Sequence, residues 1–158
     1  MPLSRFEQAD DSPGFLLWQL TNLWQQRIRA ALVPLGITHV QFVLLASAAW
    51  LEQTQQMVSQ ASLSRHAHTD VMMTSQVVRT LAEKGFVSRT GHPTDTRVKV
   101  VGLTPTGRAI AQQAMNVVET VDAAFFHDLG EQTATLVRLM QQVVSAQNPI
   151  HLSNHEES

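Results

Sequence analysis

The feature that most restricts the fold is a single change of period. Residues 86–89 and 97–101 alternate as two short strands around the turn cluster 90-TGHPTD-95, whereas the other patterned segments repeat at helical spacing. Two strands alone cannot bury enough apolar surface to stand independently. They are expected to pack on helices as an appendage, with Val98, Val100 and Leu103 turned inward and Lys99 outward. The preceding segment supplies those helices. Ser59 caps a short helix over 60–67, His68-Thr69 makes a tight turn, and Asp70 caps a longer helix that reaches Lys84 and stops at Gly85. Short helix, turn, longer helix and hairpin, in that order, describe a winged helix-turn-helix.

The flanks are helical. Ser12-Pro13 is a cap followed by a proline at the first helical position, and Leu17, Leu20, Trp24, Ile28 and Ala31 repeat along the helix that follows. Phe15, Leu16 and Leu23 widen that stripe, so this helix needs cover on more than one side, from its own domain or from a second subunit. Pro34 and Gly36 end it. Thr38-His39-Val40-Gln41 is a capping box, with Ile37 and Phe42 spaced as a hydrophobic staple, and opens a second helix over 38–53. Thr104-Pro105 starts a long helix to about Phe126, a last helix follows Gly130, and residues 148–158 read as a frayed tail. The expected fold class is mainly α with a small β-hairpin wing. Residues 1–158 are expected to form one domain, with a winged helix-turn-helix region over 38–104 between helical regions over 12–36 and 105–147.

Charge separates the middle of the chain from its frame. Residues 61–108 hold seven basic and three acidic residues, a net of +4, while the remainder holds four basic and ten acidic, a net of −6. A basic middle in an acidic frame is the pattern of a local polyanion-binding surface. The chain has no cysteine, which removes disulfides, thiolate metal sites and a cysteine nucleophile. It also lacks a glycine-rich phosphate loop and a G-x-S-x-G elbow, so no enzyme is expected. The longest apolar run, residues 42–51, is shorter than the roughly 20 residues that span a bilayer. The N-terminal residues lack a signal pattern, and a cytoplasmic protein without membrane contact is the expectation.

On a helical wheel Thr74, Val77, Val78 and Leu81 fall on the core side of the helix over 70–84. Met72, Ser75, Gln76 and Arg79 fall opposite, with Val71 and Met73 on the flanks. A thioether, a hydroxyl, an amide and a guanidinium suit base edges better than water: arginine pairs with guanine, glutamine with adenine, and an apolar group meets a thymine methyl. In a helix-turn-helix the second helix enters the major groove by its N-terminal part. On the wing, over 89–99, Arg89, Arg97 and Lys99 are the cations. Arg97 is placed to enter a minor groove, and Asp95 to hold the turn amides or Arg97 itself. A second reading makes Met72 and Met73 adaptable contacts of a protein-binding module. A third takes metal from the string His66-x-His68-x-Asp70. The hydrolases with that string carry a further histidine where Val71 stands, so no catalytic metal and no cofactor are expected. A regulatory zinc or nickel site among His39, His66, His68, His92 and His127 stays open, and His151 and His155 fall in the tail.

Three stretches, 36-GITHVQFVLL-45, 77-VVRTLAEKGFVSR-89 and above all 95-DTRVKVVGLTPTG-107, resemble the MarR family of bacterial transcription regulators. The resemblance covers residues 12–147 in element order. It implies a homodimer built from the first and last two helices, bound to a palindromic duplex. On that pattern Ser75, Gln76 and Arg79 make groove or phosphate contacts, and Asp95 and Arg97 form the wing pair. It also implies repression relieved by a small, often phenolic, effector. Trp18, Trp24, His39 and Trp50 are candidates to line such an effector's pocket, or plain core and interface. Val71-Met72-Met73 departs from the family's polar residues early in this helix, and the lack of cysteine excludes the peroxide-sensing branch by its usual mechanism.

Overall fold

The computed structural model describes residues 1 and 3–148. The expected tail over 148–158, with His151 and His155, lies outside the described residues except for Asn148. Two compact units result, residues 1–121 and residues 122–158.

The first unit opens with α1, Pro13–Leu32, whose N-terminus is closed by Ser12 Oγ accepting the Phe15 amide. A short 3₁₀ turn at Val33–Leu35 and a left-handed Gly36 redirect the chain. Helix α2, His39–Glu52, starts at the expected capping box: the Gln41 amide donates to Thr38 Oγ1, and the Thr38 amide donates to Gln41 Oε1. Then come β1 (Val58–Ser59), α3 (Gln60–Ala67), α4 (Val71–Glu83), β2 (Val87–Gly91), β3 (Lys99–Leu103) and α5 (Pro105–Phe125), which runs into the second unit. Ile28 and Leu32 of α1, Leu44 and Leu45 of α2, Leu63, Val78 and Leu81 form the fully enclosed centre. Ala111, Ala114 and Val118 of α5 are buried as well.

The sheet corrects the sequence reading in two ways. It has three antiparallel strands in the order β1-β3-β2, because the two-residue strand β1 pairs Val58 with Val101 and Ser59 with Val100. The hairpin ladder also runs from Val87↔Leu103 to Gly91↔Lys99, two residues further along β3 than the alternation suggests. Val101 is therefore the buried residue of β3, at 2% exposure, and Leu103 packs against the core beside it. Val98 and Val100, expected inward, are only half-buried, since alternation places them on the face opposite Val101.

Cover for α1 is incomplete. Ile28 and Leu32 are its buried residues, whereas Phe15, Leu16, Leu17, Trp18, Leu20 and Leu23 are exposed. In the second unit, α6 (Gln132–Ala146) has no buried residue among those described, and Val137, Leu139, Met140, Val143 and Val144 are open.

Candidate nucleic-acid interface

The N-terminus of α4 is fixed from three directions. Asp70 Oδ1 accepts the Met73 amide at 2.9 Å, which closes the first turn. Thr74 is fully buried, and its hydroxyl donates to the Asp70 carbonyl and meets Thr69 Oγ1 at 2.8 Å. Ser64 Oγ of α3 donates to the Thr69 carbonyl at 2.6 Å. His68 sits at the left-handed cap of α3 with φ 51°, a region in which histidine is enriched among non-glycine residues. Of the H-x-H-x-D string, His68 and Asp70 thus cap the two helices that meet at this turn, and His66 lies exposed in the last turn of α3. Among the described residues no three histidine or carboxylate groups gather where they could hold a metal ion.

With its base fixed, α4 presents the expected outer face. Met72 is 74% exposed and Val71 68%, which leaves these two side chains largely without cover in their own chain, and Met73 is 40% exposed. Gln76 and Arg79 are exposed and Ser75 is half-buried. Thr74, Val78 and Leu81 are buried and Val77 is packed against the core, as the wheel requires.

The C-terminus of α4 is held by a residue the charge count had assigned elsewhere. Lys84 Nζ donates to the Gly36 carbonyl at 2.8 Å and to Gln41 Oε1 at 3.1 Å. Arg108 likewise pairs with Glu52 at 2.5 Å. Two of the seven cations in 61–108 therefore brace the fold, and Arg89 Nε is engaged by Gln60 Oε1 at 2.7 Å at the start of α3. Arg65, Arg79 and Lys99 are exposed and make no ion pair among the described residues.

The wing loop, residues 92–98, is organised by two side chains. His92 Nδ1 accepts the amides of Thr94 and Asp95 at 3.2 and 3.3 Å, which requires that nitrogen to be unprotonated. Asp95 binds Arg97 three times: Oδ1 accepts the Arg97 amide and Nε, each at 3.1 Å, and Oδ2 accepts Nη2 at 3.3 Å. Arg97 is 89% exposed, so this fork fixes its direction without covering it. Hydrogen bonds from the Arg97 side chain, and then from its amide, hold the Asp95 carboxyl below its ordinary value. A depressed value means the fork's contribution is complete above the ordinary carboxylate range and is lost as pH falls through the lowered one. A carboxyl-detected NMR titration is expected to show Asp95 ionising below an aspartate in an unstructured peptide. In Arg97→Ala it should return upward; an unchanged midpoint would remove the fork as the cause.

The proposed pocket aromatics do not assemble as one group. Trp24 and His39 meet edge to face at 5.0 Å and line a cavity of about 480 Å³ with Arg29, Thr38, Val43 and Thr69. Trp18 is exposed on α1, and Trp50 lines a different cavity. Sequence reasoning missed the two braces of α4. The Thr38–Gln41 box was legible, but nothing local pairs Gln41 with a lysine 43 positions away.

The family model described as MarR family matches residues 37–99. Over 123 residues the chain is 43% identical to the uncharacterized HTH-type transcriptional regulator YdcH of Bacillus subtilis, across 78% of this chain and 84% of the relative. A mutant MarR from E. coli complexed with operator DNA superposes with a TM-score of 0.73 at 26% identity, covering 82% of this chain and 91% of that one. CouR from Rhodococcus jostii RHA1 bound to p-coumaroyl-CoA gives a TM-score of 0.75 at 26% identity, covering 88% and 95%.

Proposed function

The chain belongs to the MarR family of transcriptional regulators, and from that premise we propose that it is a homodimeric, ligand-responsive repressor of palindromic operators. In this reading α4 enters the major groove with Met72, Met73, Ser75, Gln76 and Arg79, and the wing brings Arg97 to the minor groove, with Arg89 and Lys99 near the phosphates. The observation that carries it is the uncovered first turn of α4, where Val71 and Met72 are both more than two-thirds exposed on a helix otherwise fixed at both ends. Apolar groups held rigidly outward fit thymine methyls better than water. The exposed stripes of α1 and of α6 supply apolar area that a second copy would cover.

Selection of bound duplexes from a randomised library at physiological salt tests this reading, using the full chain. An enriched palindrome is the expected result. Salt-labile binding to every duplex without enrichment would overturn it and favour protein docking through Met72 and Met73.

For the effector, the Trp24–His39 cavity is the candidate, and its chemistry suits a phenolic or aromatic carboxylate: an aromatic edge, small apolar walls and the Arg29 guanidinium. Its walls reach both ends of α4. Thr69 shares a hydroxyl hydrogen bond with Thr74, and Thr38 shares Gln41 with Lys84. An occupant that shifts either threonine would therefore re-aim the reading helix. With 4-hydroxycinnamate as probe, operator affinity is expected to fall about tenfold, within the usual span of allosteric coupling. Thr69→Val should bind the same probe but lose most of that response, as fluorescence anisotropy on labelled operator would show. A full response in Thr69→Val would take this threonine out of the coupling.

A further inference from the structure

Helix α4 begins with side chains that cannot form a strong hydrogen bond. After the Asp70 cap come Val71, Met72 and Met73, which carry no donor, and a thioether is only a weak acceptor. The cap itself turns back on the helix, with Asp70 Oδ1 accepting the Met73 amide at 2.9 Å. Behind this turn the buried Thr74 hydroxyl ties the backbone to Asp70 and Thr69, so the exposed Val71 and Met72 stand on a fixed base.

The stripe changes character further along. Gln76 and Arg79 follow Met72 at four and seven residues, on the same side of the helix, and both are exposed. Arg65 of α3 is exposed too. A surface that matches this stripe offers apolar groups at one end, polar edges next, and negative charge around them. The major groove of a duplex has that composition, with pyrimidine methyls set among base edges and bordered by phosphates. An apolar protein groove does not.

Hydrogen bonding separates most base pairs in that groove. Thymine shows O4, an acceptor, and cytosine shows its N4 amino group, a donor. The side chains of Val71 and Met72 can answer neither. What they can sense is a methyl group at C5, which thymine and 5-methylcytosine carry at the same ring position and which uracil and cytosine lack.

We propose that the Val71–Met72 turn recognises pyrimidine C5-methyl groups and takes thymine and 5-methylcytosine alike. The inference rests on the operator-binding reading above and specifies its substrate, a half-site with a methylated pyrimidine under the first turn of α4. Cytosine methylation at that step strengthens binding. A duplex modified by a cytosine C5-methyltransferase is then a better ligand than the same duplex unmodified.

Single-methyl exchanges in the selected operator test this, by fluorescence anisotropy with the full chain at one fixed salt concentration. Each thymine is replaced in turn by deoxyuridine, which removes one methyl and keeps the pairing edge. At the thymine under the turn the expected loss is about fourfold in one half-site, the contribution of one buried methyl group, and about 15-fold in both. When that T·A pair is exchanged for C·G, methylating the cytosine is expected to recover about fourfold. Val71→Ser combined with Met72→Gln, both at exposed positions, should bind the deoxyuridine operator about as well as the parent and respond to neither methyl. A selected operator with a flat deoxyuridine scan, or equal affinity for the cytosine and 5-methylcytosine duplexes, would overturn the inference and leave the operator reading standing. A full methyl response in the double variant would place the contact on other residues and overturn it equally. Failure to select any operator would bring down the reading itself, and the inference with it.

Discussion

Gly107→Ala is expected to destabilise the fold by about 3 kcal/mol or more, the range in which overpacking leaves no room for adjustment. A Cβ at this position would stand 1.7 Å from the carbonyl oxygen of Phe86 and 2.6 Å from its carbon. Neither neighbour is the free end of a side chain. The Phe86 carbonyl accepts the Thr104 amide at 3.1 Å, while Thr104 Oγ1 donates to the Gly85 carbonyl at 2.6 Å and accepts the Gly107 amide at 3.0 Å. These bonds clasp the first turn of α5 to the turn between α4 and β2, so relief of the clash must break the clasp. Urea denaturation measures the effect as a lower midpoint at an unchanged slope. A variant within 1 kcal/mol of the parent would show that the clasp yields freely.

The second large effect falls on binding. Arg97→Ala is expected to weaken the selected operator between about 10- and 100-fold, the usual range for removing an arginine that enters a groove, and to lower the salt slope by about one ion. Its fork to Asp95 orders the side chain before DNA arrives, so part of the ordering entropy is already spent. Arg97→Lys should restore the charge but not the fork, and recover only part of the affinity. Sedimentation should find the assembly of both variants unchanged. Undiminished affinity of Arg97→Ala at matched salt would remove the wing from recognition.

Local signals and long-range ones were not equally legible. Helix α3 lies at residues 60–67, where the Ser59 cap put it, and α2 and α4 begin after the caps at Thr38 and Asp70. Capping is local, because a side chain and an amide three residues on decide it. The register of the wing was not legible, since it depends on β1, a two-residue strand whose single buried valine carries no periodic signal. Lys84 and Arg108 were read as surface charge because nothing in their neighbourhood names the Gly36 carbonyl or the Glu52 carboxylate as partners. The four pocket candidates divided for the same reason. Trp24 and His39 meet because α1 and α2 turn at Gly36, and the crossing that results is not written in either helix. The outer face of α4 was legible from its wheel, for once Thr74, Val78 and Leu81 are buried the opposite residues have only one direction left.

The open apolar stripes of α1 and α6 carry a consequence of a different order. A chain whose cover comes from another copy of itself is its own ligand, and mass action then governs its folding. Under that arrangement each tenfold rise in protein concentration adds about 1.4 kcal/mol per mole of dimer to the free energy of unfolding. In the proposed dimer, abundance and integrity would be one variable. A cell that lets the regulator's level fall would dilute the repressor and also shift the remaining copies toward the unfolded chain, sharpening the loss of control beyond what occupancy of the operator alone provides.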